Sequence, residues 1–181
     1  SLGLFGARQY KAGIATALLG LGQVAERKGD YGRATTLLEE SLGLYRETEK
    51  RQGIAISLNS LGKVACSQHD TARALALYQE SLKTRRGHGA KRVLAISLEG
   101  LASVAGLQGQ IERAARLFGA AAALRATIGA PLPPVDRAGY ERNVAAVRAQ
   151  LDAATFQTAW EAGQKMMLDE MLEFALKDAG A

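Results

Sequence analysis

The chain has 181 residues, of which 48% are hydrophobic and 23% charged, with a formal net charge of +5. It is long enough to bury a sizeable core and to fold without disulfides or metals. No stretch approaches the roughly 18 to 20 apolar residues that a membrane-spanning helix requires, so we expect no membrane partner.

The first residues, SLGLFGARQYKAG, lack the basic start, the continuous apolar run and the cleavage site of a secretion signal. We interpret them as part of a longer chain. Cys66 is the only cysteine, so the chain cannot form an internal disulfide. This fits a cytoplasmic protein, and we expect Cys66 to be a small, buried, unreactive side chain.

The sequence matches itself at a shift of 40 residues, which defines three repeats at residues 13–52, 53–92 and 93–133. Residues 1–12 match the second half of a preceding, truncated repeat, because Ser1–Phe5 aligns with Ser41–Tyr45. Apolar and small residues stay in step along all three repeats: Leu18, Leu58 and Leu98; Leu21, Leu61 and Leu101; Gly22, Gly62 and Ala102; Ala34, Ala74 and Ala114.

Each repeat carries two apolar stripes of helical period, so it predicts two helices. Gly29-Asp30 separates them in the first repeat, where glycine ends one helix and aspartate caps the next. The connection is short, so the two helices must pack antiparallel. Gly22 and Ala34 supply the small side chains that a close crossing requires. Stacked repeats would bury a continuous core.

After residue 133 the pattern changes. Pro134 suits the first turn of a helix, and Asp152 can cap another. We interpret residues 134–181 as capping helices that cover the end of the repeats. The alternative is that this segment carries a second binding patch, because aromatic and methionine side chains adapt to partners. That patch would consist of Trp160, Met166, Met167 and Phe174.

The spacing Leu18-x-x-Leu21-Gly22-x-x-Ala25, followed by Ala34 and Leu38, resembles the tetratricopeptide repeat. The resemblance implies an all-α, right-handed helical solenoid of antiparallel helix pairs, ended by the helical cap. The period of 40 residues exceeds the usual 34 of that family.

The C-terminal half of the sequence resembles a narrower class of proteins. The runs RAARLFGAA from Arg113, IGAPLPP from Ile128, and Phe156-x-x-x-Trp160-x-x-Gly163 are similar to the C-terminal tetratricopeptide region of LuxR/MalT-type transcriptional regulators and related bacterial signal-transduction (STAND) ATPases. The resemblance implies a region that senses a ligand or partner and restrains an ATPase core. A serine or threonine is expected where Met167 stands, so the start of the last helix departs from the pattern.

Enzymatic chemistry finds no support in the sequence. The run from Gly20 to Ala25 mimics a dinucleotide fingerprint, but it lies in a predicted helix instead of between a strand and a helix. His69 and His88 lie at predicted turns without metal-ligand spacing. We therefore predict no catalytic residues, no cofactor and no metal.

We predict instead a concave groove formed by the first helix of each repeat, suited to a protein or peptide segment. Its residues are Thr16, Leu19, Gln23, Arg27, Ile56, Asn59, Lys63, Ser67, Ile96, Glu99, Ser103 and Leu107. Other domains of the same protein, or a small effector, are further partners that this surface would fit. The alternative function is nucleic-acid contact through the basic residues between Lys83 and Arg92, although we expect a solvated helix end there and no direct nucleic-acid binding.

Overall fold

The computed structural model describes residues 2–84 and 90–177, apart from the side chains of residues 2–5. Every element in these two ranges is helical, which confirms the all-α prediction. Two compact units result, an N-terminal unit of residues 1–87 and a C-terminal unit of residues 88–181. The helices are α1 (Leu2–Arg27), α2 (Tyr31–Glu47), α3 (Arg51–Ser67), α4 (Thr71–Lys83), α5 (Ala90–Leu107), α6 (Ile111–Thr127), α7 (Pro134–Arg148), α8 (Ala153–Gln164) and α9 (Leu168–Leu176).

In the N-terminal unit each helix packs against the next along the chain. The predicted cap at Asp30 is present, and Asp70 repeats it in the second pair. Their carboxylates accept hydrogen bonds from the backbone N–H of Arg33 and Arg73, at 3.1 and 3.0 Å. Adjacent helices joined by such short turns run antiparallel. The pairing is consistent with a tetratricopeptide solenoid.

The small residues lie where the helices of a pair cross. A Cβ on Gly22 would stand 2.7 Å from Cγ of Leu38, and one on Gly62 would stand 2.8 Å from the Tyr78 ring. Ala34 and Ala74 are completely buried. The prediction that small side chains permit a close crossing is therefore confirmed in both helix pairs of this unit.

The start of the chain differs from the prediction in one respect. Residues 1–12 were expected to end a separate second helix, but α1 runs without a break from Leu2 to Arg27. At the equivalent reversal after α2, Glu49 adopts a positive φ of 56° and the helix ends, whereas its equivalent Gln9 lies within α1. The assignment of residues 1–12 to a truncated repeat stays a prediction.

The C-terminal unit begins with the helix pair α5 and α6. The helices that follow, α7 to α9, do not add further pairs of the same kind. Helix α8 packs extensively on α6, whereas α7 and α9 make smaller contacts with α6. Pro134 starts α7 as expected, and Asp152 caps α8 by accepting from the backbone N–H groups of Ala154 and Thr155 at 3.0 and 2.9 Å.

The last helix begins at Leu168, although its cap is not a serine or threonine. The backbone N–H of Met167 donates to the Glu170 carboxylate at 2.7 Å. This is one half of a capping box, and the acidic group near the helix start is also favoured by the helix dipole. Glu170 therefore supplies the cap that the Met167 side chain lacks, and the last helix begins at Leu168.

Candidate functional site

The candidate groove in the N-terminal unit consists of eight residues on α1 and α3, and the structure brings the two helices side by side. Nε2 of Gln23 on α1 donates to the Ser60 hydroxyl on α3 at 3.1 Å. Nζ of Lys63 on α3 lies 3.2 Å from the Glu26 carboxylate on α1. These contacts bridge the two first helices, so their outer residues share one surface.

Two of the eight residues are not available on that surface. Leu19 is 9% exposed and Asn59 is 4% exposed. The sequence pattern placed both on the open wall because it shows which residues share a helical side, but it does not show how far a neighbouring element extends over them. The expectation that Leu19 and Asn59 are open to a partner is therefore wrong.

The remaining positions are accessible to different degrees. Thr16, Arg27, Lys63 and Ser67 are exposed, whereas Gln23 and Ile56 are half-buried. The Thr16 hydroxyl shares a hydrogen bond of 2.9 Å with the Tyr45 hydroxyl. Arg27 and Ser67 occupy equivalent positions in their repeats, and both lie at the ends of their helices. Their side chains are therefore open to a partner.

In the C-terminal unit the predicted groove residues lie on α5, where two of them are engaged internally. Both carboxylate oxygens of Glu99 accept from the Arg125 guanidinium on α6, at 2.5 and 2.9 Å. The third guanidinium nitrogen, Nη1, donates to the backbone carbonyl of Ala130 at 3.2 Å. Arg125 is 9% exposed. Glu99 is thus a half-buried ion-pair partner whose carboxylate is engaged within this unit, and its place in a binding groove stays a prediction.

Electrostatic effects are concentrated around this pair. Hydrogen bonding to Glu99 raises the pKa of Arg125 above its usual value, which keeps the guanidinium charged despite its burial. Tyr140 on α7 packs edge-on against Phe118, with ring centroids 5.5 Å apart. Burial is the main cause that raises the pKa of Tyr140 to about 12, and the charge of Glu99 adds to it. The repeats offered no signal for the pair, because the equivalents of Glu99 are Leu19 and Asn59, which are not acidic.

Helix α7 also covers part of the predicted wall of α5. Nδ2 of Asn143 on α7 donates to the Ser103 hydroxyl at 3.0 Å. A Cβ on Gly106 would stand 3.4 Å from Val147 of α7. Ile96 is half-buried, and Leu107 is exposed. Of the four predicted residues of α5, only Leu107 is therefore widely open.

The possible second patch is divided in the structure. Trp160 is half-buried and stacks on Phe156 at 5.6 Å, while Met167 is exposed. Phe174 lies beneath two guanidinium groups, those of Arg113 and Arg116, at 4.9 and 5.3 Å from its ring centroid.

Met166 and Phe174 together line an open cleft of about 450 Å³ between α8 and α9. Trp160 and Met167 are not among the residues that line this cleft. The contacts of Phe174 with Arg113 and Arg116 join α9 to α6.

The alignment of residues with known families agrees with this geometry. Residues 13–87 match the family described as tetratricopeptide repeat. This part of the chain is a tetratricopeptide repeat region. Its helices α1 to α4 are the paired elements described above, and tetratricopeptide repeats generally bind protein or peptide partners. No curated protein and no solved structure is detectably similar to the chain.

The family found is typically non-catalytic. Within residues 2–84 and 90–177, no three His, Cys, Asp or Glu side chains converge as metal ligands would. In the same ranges no helix has the length and hydropathy needed to cross a bilayer. The dinucleotide-like run from Gly20 to Ala25 lies inside α1, where Gly22 serves the helix crossing.

The two histidines, Cys66 and the basic residues between Lys83 and Arg92 are the other candidates that the sequence offered. His69 is exposed at the turn between α3 and α4, and His88 lies outside the described residues. Burial raises the pKa of the Cys66 thiol to about 11, although a hydrogen bond with Tyr78 opposes the shift. A thiol of this kind is a poor nucleophile at neutral pH, although Cys66 is half-buried instead of buried as expected. Arg85 and Arg86 of the basic cluster lie outside the described residues, whereas Lys83, Lys91 and Arg92 are exposed.

Proposed function

We propose that the chain is a non-enzymatic interaction module that binds a protein or peptide segment along the first-helix face of its N-terminal unit. The observation that carries the proposal is the side-by-side placement of α1 and α3, bridged by Gln23 with Ser60 and by Lys63 with Glu26. Polar groups of two repeats thereby line one surface, next to the half-buried Ile56. Such a mixture suits a peptide or an amphipathic helix.

The test uses two exposed positions that the fold does not require. A partner is captured from the native cytoplasm with the full chain and identified, and its affinity is then measured by calorimetry. We expect Arg27→Ala with Ser67→Ala to weaken binding by about 1 to 3 kcal/mol, because partner groups lose their hydrogen bonds. This double variant should keep the helical circular dichroism of the unsubstituted chain.

A matched control lies on α2. Arg33 and Thr36 are also an exposed arginine and an exposed hydroxyl residue, and the Thr36 hydroxyl donates to Gly32 at 3.2 Å much as Ser67 donates to Lys63 at 3.1 Å. Arg33→Ala with Thr36→Ala should leave the affinity unchanged. Equal losses of affinity in the two double variants would contradict a binding site on the first-helix face.

We further propose that this module is the regulatory region of a larger cytoplasmic signalling or transcription-regulatory ATPase of bacteria. The support is the similarity of the runs from Arg113, Ile128 and Phe156 to that class. The test measures ATP hydrolysis by the full-length protein with and without these 181 residues. We expect deletion to raise the basal rate, because the region restrains the ATPase. A full-length protein that neither binds nor hydrolyses ATP would contradict this.

Nucleic-acid binding is the competing outcome. Fluorescence anisotropy with duplex and single-stranded oligonucleotides, at two salt concentrations, should show no specific signal. Strong binding that falls steeply with salt, and that is lost when Lys83, Lys91 and Arg92 are replaced by alanine, would favour the alternative, because phosphate contacts release counterions.

A further inference from the structure

The turn between α8 and α9 interrupts a sequence that favours one continuous helix. Residues 164–168, QKMML, join the two helices and consist of strong helix formers. They include no glycine or proline, which often end a helix, and no serine, threonine, aspartate or asparagine, which often begin one. The local sequence therefore does not determine the break. Such a conflict between local preference and tertiary structure is expected at functional or strained sites.

The cap at Glu170 and the packing of α9 hold this break in place. Met167 is extended, with ψ of 160°, and its backbone N–H donates to the Glu170 carboxylate at 2.7 Å. The Met167 side chain is 72% exposed, so it contributes little packing to the turn. In one continuous helix this N–H would donate instead to the carbonyl of Gly163, four residues earlier. Straightening therefore exchanges one hydrogen bond for another, and the first N–H groups of α9 also gain partners within the helix.

Helix α9 depends on α6 for its burial. Met171 and Leu172 are each 5% exposed, and α9 packs on α6. An open cleft of about 450 Å³ separates α9 from α8. A helix of nine residues is not stable by itself in water. To stay folded, α9 therefore needs the surface of an α6 helix, but that helix can belong to another copy of the chain.

The contacts that seat α9 on α6 involve groups that every copy of α9 carries. Nη2 of Arg113 donates to the backbone carbonyls of Phe174 and Lys177 at 2.9 and 2.7 Å. A cation is favoured at this end of a helix. The guanidinium groups of Arg113 and Arg116 also lie over the Phe174 ring. The same contacts would form with α9 of a second copy.

We propose that two copies of this chain exchange α9. The turn at Met167 straightens, α8 and α9 become one helix, and each α9 occupies the seat on α6 of the other copy. The exchange keeps the contacts that α9 makes in the monomer, so it gives a dimer at low energetic cost. Short turns between packed elements favour such an exchange. This dimer is independent of the binding function proposed above.

Sedimentation velocity after incubation at low to high micromolar concentration tests the exchange. We expect a dimer whose fraction grows with concentration and which converts slowly, because α9 must leave its seat. Glu170→Ala removes the cap from the monomer, and two caps are lost per dimer formed, so the dimerisation constant should rise about tenfold or more. Glu173→Ala is the control, because the ion pair of Glu173 with Lys177 at 3.0 Å lies within α9 and is present in both forms. It should leave the constant unchanged.

Leu168→Pro tests the straightening itself. Leu168 is the first residue of α9 and follows the extended Met167, so proline fits there, whereas it would disrupt a continuous helix. This variant should stay monomeric and keep its helical circular dichroism. Leu168→Ala loses the same side-chain contacts but permits the straight helix, so it should still form the dimer. A native chain that stays monomeric at high micromolar concentration would overturn the proposal, as would a dimer that neither Glu170→Ala nor Leu168→Pro affects.

Discussion

Gly163 of α8 lies directly against the backbone carbonyl of Arg116 in α6, with no space for a Cβ between them. The reciprocal contact is made by Gly119 of α6 against the carbonyl of Trp160 in α8. Because glycine has no side chain, the backbones of α6 and α8 touch directly at these two positions. Longer side chains there would hold the two helices apart. This crossing explains why α8 packs on α6 instead of forming a hairpin with α7.

Gly163→Ala should destabilise the chain strongly. The added methyl would meet backbone atoms, which cannot rotate away, so we expect a loss of about 3 kcal/mol or more in the free energy of unfolding. Urea unfolding followed by circular dichroism measures it. Gly20→Ala is the control, because Gly20 lies in α1 with open space around it. That change should stabilise by about 0.5 to 1 kcal/mol through helix propensity. Similar changes in unfolding free energy for the two variants would mean that the backbones of α6 and α8 are not in direct contact at Gly163.

Glu99→Gln should cost about 3 kcal/mol of unfolding free energy. It leaves the guanidinium of Arg125 buried without its opposite charge, and the two side chains are only 15% and 10% exposed. Chemical denaturation provides the measurement. The control is Glu39→Gln, which removes an exposed carboxylate 2.8 Å from Arg73 and should cost less than about 1 kcal/mol. Equal costs would assign no structural role to the Glu99–Arg125 pair.

His69→Gly should stabilise the chain by about 1 kcal/mol. His69 has a positive φ of 59°, whereas the equivalent turns after α1 and α5 use Gly29 and Gly109 at φ of 79° and 76°. Removal of the Cβ relieves the strain of the left-handed conformation. His69→Ala keeps a Cβ and should be nearly neutral. Thermal melts of the three proteins test this, and a destabilised glycine variant would show that the imidazole contributes to the turn.

Cys66 should react very slowly with thiol reagents in the native chain. Its pKa of about 11 exceeds the ordinary value of 9.0, so the thiolate fraction at pH 8 falls about a hundredfold. The rate of reaction with a chromogenic disulfide at pH 8 should rise by that factor or more when urea unfolds the chain. Since there is one cysteine, the signal reports Cys66 alone. A native rate equal to the unfolded rate would contradict the raised pKa of the half-buried thiol.

The sequence by itself determined the local structure of this protein. Helical period, glycine at turns and aspartate at helix starts are short-range properties, and Asp30, Asp70 and Asp152 cap their helices as predicted. The repeat of 40 residues also identified the close crossings at Gly22 and Gly62. These features were accessible because each depends on neighbouring residues or on comparison between repeats.

The tertiary structure decided which sides of the helices are covered and which polar groups pair. Leu21 belongs to an apolar stripe that predicts burial, yet it is 53% exposed, whereas its equivalent Leu61 is 3% exposed under α2. Glu99 has the pattern of a surface residue, yet it binds Arg125. Period assigns a residue to a side of its helix, but burial and pairing depend on what other elements place there. Those elements are distant in the chain, so only the packed structure reveals them.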